Sequence, residues 1–141
     1  MARILALDYG SVRVGVALSD PLGLTAQAQE TLAPKSKSEL MQKLYDLIKN
    51  HEVEAIVLGH PLNMDGSRGP KALETEEFAE TLKQRFSLPV NLWDERLTTR
   101  QAQNTMRETN TRTKGHKPKI DALAAVFLLQ SYLDHQGAHG R

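Results

Sequence analysis

The sequence predicts an α/β protein: a mixed five-stranded sheet, begun by an antiparallel hairpin meander, continued by parallel strands and flanked by helices. Three observations predict it. Two strand-like runs near the start are joined by so short a turn that they must pair antiparallel. Each later strand is separated from the next by a helical pattern, which implies parallel pairing with right-handed crossovers. The 141 residues suit one hydrophobic core, and residues 1–141 show no repeat, low-complexity tract or linker, so they read as a single domain.

The elements follow in order. Ile4-Leu5-Ala6-Leu7 is a short apolar run that reads as a buried strand. Asp8-Tyr9-Gly10-Ser11 is rich in turn formers. Val12, Val14, Val16 and Leu18 then alternate with Arg13, Gly15, Ala17 and Ser19, a period-two strand pattern. A weaker third strand falls within Ala26 to Leu32, after the turn Asp20-Pro21-Leu22-Gly23. Ser36 and Glu39 have the spacing of a helix-capping box, and Leu40, Leu44, Leu47 and Ile48 form one apolar face. Ala55-Ile56-Val57-Leu58 is a fourth strand, parallel to the first. The loop from Gly59 to Gly69 leads to Pro70, suited to the first turn of a helix whose inner face uses Leu73, Phe78, Ala79, Leu82 and Phe86. Val90-Asn91-Leu92-Trp93 is the fifth strand. Thr98 and Gln101 repeat the capping spacing before a helix with Ala102 and Met106 inside. A last helix starts near Pro118 and buries Leu123, Ala124, Phe127 and Leu128.

Composition excludes several classes. Hydrophobic residues make up 40% and charged residues 25%, the balance of an ordinary globular domain, and no run of eighteen apolar residues offers a membrane span. Met1-Ala2-Arg3-Ile4 enters a strand directly, without the pattern of a secretory signal. The absence of cysteine removes disulfides, thiolate zinc sites and thiol nucleophiles, and fits a cytoplasmic protein. A net charge of +1 is silent about nucleic acid until its distribution is considered.

In open α/β sheets, sites gather at the carboxyl ends of the parallel strands. That rule selects Asp8, the loop from Gly59, and Asp94-Glu95. Each has an ordinary reading: Asp8 as a turn aspartate, and Asp94 or Glu95 as a solvated strand end paired with Arg96. At most one of Asp94 and Glu95 can point into a given site, because neighbours on a strand face opposite ways. Asp121, in the first turn of the last helix, suits the helix dipole. Yet Ala122, Ala124 and Ala125 would let that helix lie close to the sheet and bring Asp121 to the strand ends. Three convergent carboxylates suit Mg²⁺ or Mn²⁺, which take oxygen ligands and serve phosphodiester hydrolysis. No metal-spaced histidine pair, P-loop or nucleophile elbow competes.

Leu5-Ala6-Leu7-Asp8-Tyr9-Gly10, Gly15-Val16-Ala17, Gly59-His60-Pro61-Leu62-Asn63-Met64-Asp65-Gly66, Asp94-Glu95-Arg96-Leu97-Thr98-Thr99 and Asp121-Ala122-Leu123-Ala124-Ala125 occur in this order. Together they resemble the YqgF family, named for pre-16S rRNA nucleases or Holliday junction resolvases, over nearly the whole chain. The resemblance implies an RNase H-like fold, divalent-metal-dependent hydrolysis by Asp8, Glu95 and Asp121, and maturation of the 5′ end of 16S rRNA in the cytoplasm. Gly10, Asn63, Arg96 and Thr98 are further candidate substrate contacts, Asn63 through a ribose or a phosphate. Wider RNase H-like enzymes commonly carry a carboxylate at the end of the fourth strand. Here that place holds Leu58-Gly59-His60, so Glu95, one strand over, must take the role.

Between Arg96 and Lys119, seven cations (Arg96, Arg100, Arg107, Arg112, Lys114, Lys117 and Lys119) face only Glu108. Arg112, Lys114, Lys117 and Lys119 stand just before Asp121 and are candidate phosphate contacts for structured RNA or branched DNA. The ordinary alternative is a solvated connection between helices. Asp65 reads as structural, His60 and His116 as incidental, and Trp93 as core. The expected oligomeric state is a monomer or weak dimer. Three other functions stay open. A Holliday junction resolvase acting on DNA would need a dimer. A non-catalytic RNA-binding ribosome-assembly factor would keep the fold without the chemistry. An actin-like ATPase also has Asp-x-Gly after its first strand, but needs a second such domain.

Overall fold

The computed structural model describes residues 3–97 and 117–139, and in the second segment the side chains of residues 122–136. In chain order the elements are β1 (Arg3–Tyr9), β2 (Val14–Ser19), β3 (Ala26–Ala28), α1 (Lys37–His51), β4 (Val53–His60), α2 (Pro70–Phe86), β5 (Val90–Asp94), a 3₁₀ turn (Glu95–Leu97) and α3 (Lys117–His139). The sheet order is β3-β2-β1-β4-β5. β1 pairs antiparallel with β2, and β2 with β3, whereas β4 lies parallel to both β1 and β5. This is the predicted meander followed by parallel strands. The predicted helix after Thr98 lies outside the described residues.

Local chemistry sets the helix ends. The Ser36 hydroxyl accepts from the Glu39 amide at 3.1 Å, and the Glu39 carboxylate accepts from the Lys35 amide at 2.6 Å, so the box satisfies two exposed donors. Pro70 opens α2, where its missing N–H costs nothing. Both α1 and α2 close on a left-handed residue, Glu52 and Ser87, each with φ 53°.

The sheet is covered on both faces. Leu5, Leu7, Val16, Leu18, Ile56 and Leu58 pack under α1 and α2 with Leu40, Leu44, Phe78 and Leu82. On the other face Ala6, Ala17 and Val57 meet Ala125, Leu128, Leu129 and Leu133 of α3. This second layer buries every residue of β2, and the structure corrects three expectations. Val12 is not in the strand; it stands 68% exposed in the hairpin turn. In α3 the inward stripe is Ala122, Ala125, Leu128, Leu129 and Leu133, while Leu123, Ala124 and Phe127 are only half-buried. A helix apolar on most sides gives no single stripe to read, and the tight fit over Ala6 and Ala17 selects which face goes in. In α2, Leu73 is exposed, and Ala72 and Thr75 take the inner positions. Thr75 is tolerated there because its hydroxyl donates to the Lys71 carbonyl at 2.9 Å.

Candidate active site

Strand parity decides which acids can meet. Along β1, Leu5, Leu7 and Tyr9 face α1 and α2, so Ala6 and Asp8 face α3. Along β4, Val57 and Gly59 share that second face, and the parallel register pairs Leu7 with Leu58, which sets Asp8 beside Gly59. β5 ends at Asp94, on the face of His60, its register partner. The chain then turns, and Glu95 lies across Gly59: a Cβ built on Gly59 would stand 2.5 Å from Glu95 Oε1. The side chain that β4 lacks is replaced in space by one from the turn that follows β5.

Asp8 and Glu95 share a side-chain hydrogen bond, which requires one of the carboxyls to carry a proton. Burial, then the Asp8 charge and the hydrogen bond to it, raise the Glu95 carboxyl from the ordinary 4.5 to about 8, with Asp94 adding and Lys71 opposing. Two oxygen-only groups forced to share a proton fit a hard divalent ion, which would take the proton's place. Among the described residues no group of three metal-ligating side chains occurs. Asp121, the third predicted acid, sits in α3, but its side chain lies outside those described.

The other predicted residues divide. Gly10 donates its amide to the Arg13 carbonyl at 3.0 Å, and a Cβ there would meet that oxygen at 2.5 Å, so the hairpin requires glycine. Asn63 spends its polar groups inside its own loop: its amide donates to the Ser67 carbonyl at 2.9 Å and Nδ2 to Ser67 Oγ at 2.9 Å. Asp65 accepts from the Ser67 amide and hydroxyl, the structural role expected of it. Arg96 is paired with Asp94 at 2.7 Å. His60 contacts Glu76 at 2.8 Å, and Glu76 also takes Arg68. Trp93 is half-buried, donating to Ser131 at 3.1 Å and packing edge-on to Tyr132. Thr98, Arg112, Lys114 and His116 lie outside the described residues, as do the side chains of Lys117 and Lys119.

Sequence reasoning missed Gly59 and Lys71. Glycine at a strand end often marks a close approach, and that signal was present. Lys71 carries the charge that opposes protonation of Glu95, and its ammonium lies 5.7 Å from the Tyr9 ring centroid. Tyr9 in turn stacks on Phe78 with centroids 4.0 Å apart. A cleft of about 670 Å³ runs past Tyr9, Gly10, Ser11, Lys37 and Lys71. Nothing in the sequence brings residue 71 to residue 9; the packing of α2 does.

A meander-plus-parallel sheet with paired acids at the strand tips defines an RNase H-like, resolvase-type α/β protein. Thermus thermophilus RuvC in complex with a Holliday junction substrate superposes with a TM-score of 0.60 at 12% identity, covering 97% of each chain. The fowlpox virus resolvase with its junction DNA gives 0.59 at 12% identity, covering 94% of this chain and 97% of that one. Within that class, the family model RuvX, described as Holliday junction resolvase, matches residues 2–135, and the chain belongs to this family. Relatives named "Putative pre-16S rRNA nuclease" include one from Syntrophomonas wolfei, 47% identical over 132 residues and 94% of both chains. Another, from Halothermothrix orenii, is 45% identical over 139 residues, 98% of this chain and 99% of its own.

Proposed function

We propose that this protein is a divalent-metal-dependent nuclease that hydrolyses phosphodiester bonds in the 5′-end maturation of pre-16S rRNA. The observation that carries the reading is the Asp8–Glu95 pair at the ends of β1 and β5, Asp8 beside Gly59 in the sheet register and the Glu95 carboxyl lying across that glycine. The names of its relatives supply the RNA substrate. Asp8 and Glu95 would hold Mg²⁺ or Mn²⁺, with Asp121 as a third carboxylate. Held there, the ion would supply a polarised water and neutralise charge on the phosphate. Glu95 must give up its proton for the ion to bind. Phosphate contacts fall to the cations of residues 100–119, among them Arg112, Lys114, Lys117 and Lys119, whose charge favours any polyanion. The cytoplasm, where ribosomal RNA precursors are processed, is the compartment this function needs.

A second reading, resolution of DNA junctions, is favoured by the family's description and by the likeness to two resolvase folds. One experiment separates the two. Wild type and Asp8→Asn are incubated with a 5′-extended 16S precursor RNA and with a four-way DNA junction, in Mg²⁺, Mn²⁺ or EDTA. Metal-dependent cutting of the RNA, lost in the variant, is the expected result. Preferential cutting of the junction would transfer the assignment to DNA. RNA binding without cutting by either protein would favour a non-catalytic assembly factor.

A further inference from the structure

Arg96 follows Glu95 in the chain, and its guanidinium is engaged within the protein. Nε lies 3.1 and 3.0 Å from the two Asp94 oxygens, and Nη2 donates to Oδ2 at 2.7 Å. Nη1 reaches across to the Met64 carbonyl at 3.2 Å. The planar fork of arginine matches a carboxylate edge as a lysine cannot. The loop after β4 is shaped to receive it. Gly66 has φ +88°, and a Cβ built there would lie 3.5 Å from Nη1. The same loop is closed by the Gly66 amide on the Asn63 carbonyl at 2.8 Å.

The backbone makes the second half of the device. The Arg96 amide donates to Asp94 Oδ1 at 2.9 Å, an Asx turn spanning Glu95. This turn ends β5 and begins the 3₁₀ segment Glu95–Leu97. It lays the Glu95 carboxylate over Gly59, beside Asp8.

We propose that Arg96 is a positioning residue and not a substrate contact: by tying Asp94 to the Met64 carbonyl it fixes the turn that sets Glu95 against Asp8. The order of the 60–69 loop and the geometry of the carboxylate pair are thereby coupled. For catalysis this rests on the reading of that pair as an ion site.

The test uses wild type, Arg96→Ala, Arg96→Lys, Asp94→Asn and Asp8→Asn. Mn²⁺ affinity is measured by calorimetry without nucleic acid, precursor-RNA affinity in EDTA, and amide exchange at Gly66 and Ser67 in metal-free protein. Arg96→Ala is expected to weaken Mn²⁺ at least about fivefold, the same as about 1 kcal/mol, and to speed exchange at both amides. RNA affinity should change less than about twofold, since the phosphate contacts lie elsewhere. Arg96→Lys, which keeps the charge and loses the fork, should behave as alanine does. Asp94→Asn keeps the turn acceptor and should show the loop effect with a smaller loss of Mn²⁺ affinity. A loss of RNA affinity with Mn²⁺ binding and exchange unchanged would overturn the proposal, as would full rescue by lysine. Should the alanine variant fail to fold, the lysine and asparagine variants carry the test. Unchanged Mn²⁺ affinity in Asp8→Asn would remove the ion site itself, and unaltered loop exchange in the Arg96 variants would remove the clamp.

Discussion

Glu95 holds its proton more tightly in the folded chain than in the unfolded one, because folding buries it beside Asp8. The stability it contributes is therefore fully present below pH 4.5 and is lost as the pH rises through about 8. Metal-free protein is expected to unfold at lower urea at pH 8.5 than at pH 5. Asp8→Asn should flatten that slope, since it removes the like charge but leaves the burial. A wild-type midpoint independent of pH in EDTA would contradict this assignment. Gly59 gives a second prediction at this scale. Gly59→Ala puts a methyl group where Glu95 Oε1 now sits, 2.5 Å away. Divalent affinity should fall about tenfold, worth about 1.4 kcal/mol, with little change in the rest of the fold. Calorimetric titration with Mn²⁺ checks it, and equal affinity would mean that Glu95 can move aside at no cost.

Each element holds for its own reason. The N-cap of α1 stands apart from the site, so Ser36→Ala should cost about 1 kcal/mol in urea unfolding and leave divalent affinity untouched. α3 depends on small residues: Ala125 is fully buried against the face that carries Ala6 and Ala17. Ala125→Leu should destabilise by about 1–3 kcal/mol through overpacking, measured in the same titration. It should also weaken divalent binding if α3 carries Asp121 to the pair. The strand and helix patterns were legible along most of these elements, because each inward stripe repeats with the period of its own backbone. They failed where that premise failed. α3 is apolar enough that periodicity left its rotation open.

At the scale of the molecule, the proposed function joins two opposite chemistries. A carboxylate pair sits at the strand tips, and a run of cations lies in residues 96–119. Binding of precursor RNA should therefore weaken steeply with salt. Replacing Arg112, Lys114 and Lys117 by alanine should reduce the magnitude of the log–log slope by about 2. Filter binding between 50 and 300 mM salt measures it, and an unchanged slope would place the phosphate contacts elsewhere. Among the described residues no helix is long and apolar enough to cross a membrane.

The sequence by itself determined the order of the strands and helices among the described residues, the capped start of α1 and the carboxyl-end location of Asp8 and Glu95, since these depend on local periodicity and on a general rule of parallel sheets. Tertiary structure alone decided which acids meet. Asp94 and Glu95 are neighbours with similar chemistry, and only the turn closed by Arg96 sends one to the guanidinium and the other over Gly59 to Asp8. It also decided that Asn63 bonds to Ser67 and Arg96 to the Met64 carbonyl, and that Lys71 comes near Glu95 and Tyr9. These are contacts between side chains far apart in sequence. They follow from how strands and helices pack, and no pattern within a single segment encodes them.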